Sequence, residues 1–134
     1  MKKAILFITF IFISFSLQAS PNKAEADKWY KDFRAAKDKV FDGSFVTKVN
    51  EHMKQTQQLA QLRSRAEKLF GEPLTSKLAN CTVAAYNLQT VWSSIAEIAR
   101  KGQLDNRTPA FIAVMAWTGG ENYPVCIDEI DKLK

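Results

Sequence analysis

The chain has 134 residues, a formal net charge of +5 and a hydrophobic share of 46%. That share excludes wholesale disorder, and the length fits one compact domain rather than two. Residues 1–19 carry part of both figures and are read apart from the rest.

Lys2 and Lys3 precede an apolar run from Ala4 to Leu17, and the small residues Ala19 and Ser20 follow with Leu17 at the −3 position. This order is that of a secretory signal peptide over residues 1–19. It is too short to span a ~30 Å hydrocarbon core, which takes about 20 apolar residues. Its removal leaves residues 20–134 as a single domain with seventeen cationic against fourteen acidic residues, a net charge of +3. So mild a charge on an exported chain predicts no nucleic-acid partner. No cysteine stands at the cleavage site, so no membrane anchor is expected after signal cleavage. The expected location is the periplasm.

Export gives the two cysteines meaning, because that compartment permits disulfides. Cys81 and Cys126 are the only ones, and they lack the CxxC and Cys/His spacings of redox or zinc sites. They are expected to form a structural disulfide closing a loop of roughly 45 residues.

In the first helix, Trp29, Phe33, Ala36 and Val40 recur at spacings of four, three and four on one face. Asp27 with Lys31 and Lys28 with Asp32 stand as i,i+4 pairs. Gly43 ends this helix. The second runs from Phe45 to Phe70, with Val46, Val49, Met53, Thr56, Ala60, Ala66, Leu69 and Phe70 as its apolar face and Gln55 to Gln61 weakly amphipathic. Gly71 and Pro73 terminate it. The third carries Leu74, Leu78, Cys81, Ala85, Leu88, Trp92, Ile95 and Ala99, an a/d seam of nearly four heptads that predicts bundle packing. Gly102 stops it. Thr108 and Pro109 open a short helix to Thr118 that is apolar on every side, and Gly119 and Gly120 break it. A last helix begins near Pro124, with Cys126, Ile130 and Leu133 on one face. The fold class is therefore all-α, a four- to five-helix bundle stapled by one disulfide.

Catalytic signals are sparse. His52 is the sole imidazole, and its neighbour Met53 points about 100° away, so the two cannot share one iron. The carboxylates Glu51 and Glu97 lie on charged helix faces. Asp128, Glu129 and Asp131 lack the spacing and central glycine of an EF-hand. No enzyme, cofactor or metal site is expected. Trp29 and Trp92 belong to apolar stripes, which core packing explains.

The segment from Thr118 to Pro124 is the most distinctive loop. Gly119 and Gly120 permit unusual backbone angles, and Glu121, Asn122 and Tyr123 offer a charge, an amide and an amphipathic ring. It suits a recognition loop on a rigid scaffold. The other reading is a helix-breaking turn whose tyrosine covers the disulfide. Asp105 and Arg107, in the polar loop 103–108, form a second candidate contact.

The segment Asn80 to Tyr86 (Asn-Cys-Thr-Val-Ala-Ala-Tyr) resembles a helical Cys-x-x-x-Ala-Tyr stretch of small amidase immunity proteins. With the signal peptide and the second cysteine in Tyr123 to Cys126, the profile is similar to periplasmic immunity proteins of type VI secretion effector–immunity pairs. That resemblance implies binding and blocking a cognate secreted toxin, such as a cell-wall hydrolase, often as a homodimer. Two other readings remain open: an accessory protein of an envelope or secretion assembly, and a small carrier with an apolar cavity.

Overall fold

Each helix carries one apolar stripe, and the core lies where the stripes meet. The computed structural model describes residues 21–42, 48–73, 76, 78–102 and 122–133. Helix α1 spans Lys23–Asp42, α2 Val49–Phe70, α3 Ala79–Arg100 and α4 Asn122–Asp131, and the described residues include no strand. The expected signal peptide and the expected helix from Pro109 to Thr118 lie outside the described residues.

Asn22 caps α1, its side-chain oxygen accepting the Ala24 N–H at 2.8 Å. Below the cap, Trp29, Phe33, Ala36 and Val40 are buried, as their spacing predicts, and Ala26 joins them. On α3 the seam from Cys81 to Ile95 is buried too, joined by Ala79, Thr82, Ala84 and Val91. The wider face follows from position, because α3 packs against all three other helices.

Cross-helix contacts give the topology. The Trp29 indole donates to Leu62 O at 2.9 Å, and Gln55 Nε2 donates to Ala36 O at 3.2 Å, so α1 and α2 run antiparallel. Thr82 lies against Ala66, and Trp92 donates to Thr56, so α2 and α3 are antiparallel as well. Asn80 donates to Glu129, and Lys23 donates to Ile130 O, which lays α4 antiparallel to both α3 and α1. The disulfide joins Cys81 of α3 to Cys126 of α4, both sulfurs fully buried.

Three local expectations need correction. First, α2 presents a different face. Val49 and Met53 are 73% and 57% exposed, and Thr56 and Ala60 are exposed with them. Gln55, Leu59, Leu62, Ala66 and Phe70 point inward instead. The six-residue step from Ala60 to Ala66 turns a helix by about 240°, so the two halves of the expected face cannot coincide. Leu59, Leu62 and Phe70 meet the other helices in this orientation, and Gln55 is carried inside.

Second, the ion pairs are rearranged. Asp27 pairs with Lys23 at 3.0 Å, and Asp32 reaches across to Arg65 of α2 at 2.6 Å. Third, three helix starts move. Helix α2 begins at Val49, after an extended Lys48, rather than at Phe45. Helix α3 begins at Ala79, preceded by a turn in which the Leu78 N–H donates to Ser76 Oγ at 3.1 Å. Helix α4 begins at Asn122, with Pro124 in the first turn, where its missing N–H has no helical partner to lose.

The buried Gln55 gives a direct test of the rotation of α2. Gln55→Met exchanges a buried hydrogen bond worth about 1 kcal/mol for comparable apolar packing. The melting temperature should move by less than about 5 °C. Gln55→Glu replaces the donor to Ala36 O with a buried carboxylate facing that carbonyl oxygen, and should lower it further. Circular dichroism melts decide, and equal effects of the two variants would contradict a buried position 55.

Candidate functional site

Along the outer seam of the α1–α2 hairpin run two adjoining cavities of about 260 and 290 Å³. Lys39 and Gln58 line both. Only α1 and α2 contribute lining residues among those described. The reason lies in helix geometry. Lys37 and Arg63 face the other helices, contacting Tyr123 of α4 and Tyr86 of α3. Lys39 and Gln61 each stand two residues from these, about 200° around the same helix. The groove therefore opens on the side of the hairpin away from α3 and α4.

Ala35 and Ala36 put small side chains on its floor, which leaves the groove open. One wall carries Gln55, Gln58 and Gln61, three residues apart and so on one face of α2. The Gln55 amide is committed to Ala36 O, whereas Gln58 and Gln61 are exposed with amides that can both donate and accept. Asp32 and Arg65 close one end with their ion pair. At the other end Lys39 and Lys54 line the same cavity as Glu51. The Glu51 carboxylate pairs with Lys48 at 3.5 Å, and neither Lys39 nor Lys54 has an ion-pair partner among the described residues. Such a surface binds by hydrogen bonding and charge.

None of these groove residues belongs to the expected contact set. Gln55 to Gln61 reads as a weakly amphipathic stretch when only apolar residues are counted. The three-residue repeat of glutamine was the signal that marks one polar face.

Of the expected contact residues, Gly119, Gly120, Glu121, Asp105 and Arg107 lie outside the described residues. Asn122 and Tyr123 form the start of α4. The Tyr123 ring stacks on Phe33 at 5.4 Å and on Tyr30 at 6.1 Å, and the Lys37 ammonium sits 4.6 Å from its centroid. Its hydroxyl is 3.1 Å from that of Tyr30. The side chain thus ties the head of α4 to α1, so Tyr123→Ala would loosen this junction.

Burial pushes the Tyr123 phenol up to about 12, helped by the hydrogen bond with Tyr30. The folded state favours the neutral phenol. Its contribution to stability is therefore complete below the ordinary value near 10 and is lost as pH rises through about 12. An ultraviolet titration should show a tyrosinate forming near pH 12. Tyr123→Phe should abolish that step, and its persistence would assign it elsewhere.

A second polar cluster joins α2 to α3. The Arg63 guanidinium lies 3.6 Å from the Tyr86 ring centroid, and Arg63 also bonds Glu67 at 3.2 Å. The Tyr86 hydroxyl donates to Glu67 Oε1 at 2.6 Å. That bond, with Arg63 beside it, holds the Glu67 carboxyl below the usual range and raises the Tyr86 phenol. All three groups are satisfied by one another, which makes the cluster an interhelical clamp.

His52 is half-buried, its ring 5.0 Å from that of Trp92, while the neighbouring Met53 is exposed. Among the described residues, no three His, Cys, Asp or Glu side chains gather as a metal site, and no helix is long and apolar enough to cross a membrane. No protein-family model matches this chain, and no curated protein or solved structure is significantly similar to it.

Proposed function

We propose that the protein is exported to the cell envelope, where it binds a partner protein and blocks it, in the manner of an immunity protein against a secreted toxin. The observation that carries this reading is the polar groove along α1 and α2, displayed on a bundle whose opposite side is tied by a buried disulfide. A surface held by packed helices loses little conformational freedom on association, so more of the contact energy appears as affinity. The block is steric: the bundle covers a functional cleft of the partner, and a toxin such as a cell-wall hydrolase is the expected target. The export signature and the resemblance of Asn80 to Tyr86 support the same reading.

The test is capture of partners by the tagged protein in its own organism under oxidising conditions, with mass spectrometry of what is retained. The expected result is one stoichiometric hydrolase that survives high-salt washing and loses activity in the complex. Recovery of envelope-assembly components, or of this chain alone, would replace the proposal with an accessory role.

A further inference from the structure

Building on that reading, we propose that the α1–α2 groove receives an extended, acidic segment of the partner protein, with Lys39 and Lys54 as its charge contacts. From Glu51 to Arg65 the groove follows about 21 Å of helix at 1.5 Å per residue, the length of roughly six residues of extended chain. Ala35 and Ala36 let a backbone approach the floor. The exposed amides of Gln58 and Gln61 match the alternating N–H and C=O groups of such a backbone. Charge selects the sign of the guest. Asp32 and Arg65 neutralise each other, and Glu51 is paired with Lys48. Among the described residues, Lys39 and Lys54 are therefore the cations left for a ligand in one cavity. A carboxylate-bearing segment satisfies both, and a basic one is repelled.

The test uses the full chain, purified under oxidising conditions, and a fluorescein-labelled octapeptide of alternating Asp and Thr, read by fluorescence anisotropy. Saturable binding that weakens with added salt is expected, with no binding of the matching Lys-Thr peptide. Lys39→Glu with Lys54→Glu should weaken binding about tenfold. Lys68→Glu with Arg100→Glu, charge reversals outside the groove, should change it less than threefold. Both lysines are exposed, and an unchanged melting curve confirms that the groove variant is folded. Absence of saturable binding, or equal weakening by both double variants, would overturn the proposal. Partner capture separates this proposal from the broader one. Undiminished capture by the Lys39→Glu, Lys54→Glu protein overturns the groove and leaves the inhibitor reading standing. Failure of the unsubstituted protein to capture any partner overturns the inhibitor reading, and the peptide titration still decides the groove.

Discussion

Replacing Cys81 and Cys126 together by alanine is expected to lower the unfolding free energy by about 4 kcal/mol, the chain-entropy value for a loop of this length. The bond spans 45 positions of sequence, so its loss releases a large closed loop in the unfolded chain. For a domain of this size the melting temperature should fall by roughly 15 °C. Both sulfurs are fully buried, so a reductant reaches them only in molecules that have opened. One heating cycle in dithiothreitol should therefore bring the unsubstituted protein to the melting point of the double variant. The effect should be concentrated in α4. Without the bond, that ten-residue helix keeps the Tyr123 stack, the Asn80–Glu129 hydrogen bond at 2.7 Å and the Lys23 contacts at its end. Isolated helices of this length are marginal in water. Hydrogen exchange should show α4 amides losing protection before those of α1 to α3. A melting shift below about 3 °C, or uniform exchange across the bundle, would show that packing alone holds α4.

Trp29→Ala should cost about 3–5 kcal/mol, the range for removing a fully buried large aromatic. Trp29 sits where α1 meets α2. Its ring stacks on Phe33 at 5.1 Å and meets the edge of Phe70 at 5.0 Å, while its indole N–H donates to Leu62 O. Truncation therefore removes apolar contact, two aromatic pairs and a cross-helix hydrogen bond together. Trp29→Phe keeps most of the apolar volume and loses the donor, so its cost should be nearer 1–2 kcal/mol. Urea denaturation measures both. If Trp29→Phe were as damaging as Trp29→Ala, the hydrogen bond to Leu62 rather than packing would dominate at this position.

The buried face of α1 was legible in the order of its residues, since Trp29, Phe33, Ala36 and Val40 keep one period without interruption. Helix α3 was legible for the same reason from Cys81 to Ile95, but not its start, which the seam carried back to Leu74 and the structure sets at Ala79. Helix α2 was not, because its apolar residues form two stripes and nothing local says which one meets α1. Side chains on α1 decide it: Trp29 seeks the Leu62 carbonyl and Ala36 offers a carbonyl to Gln55. Asp32 illustrates the same limit. Lys28 is a helical neighbour in sequence, but Arg65 lies across the seam, and only the pairing of the two helices brings it within 2.6 Å. The polar groove was hidden along with the rotation of α2, since its wall is the face that the expected register left unassigned.

What the sequence by itself determined is what is local or forced. Glycines at 71 and 102 end α2 and α3 with φ of 87° and 67°, angles that a residue without Cβ adopts at little cost. Two cysteines can pair within one chain in only one way, and they do. Periodic apolar residues make helices wherever they stand. The tertiary structure decided which way α2 turns, which partner Asp32 takes, where the Tyr123 ring packs and where a groove remains open. Each of these depends on residues brought together by helix packing, and the energies involved are those of burial and cross-helix hydrogen bonding rather than of any one helix's own pattern.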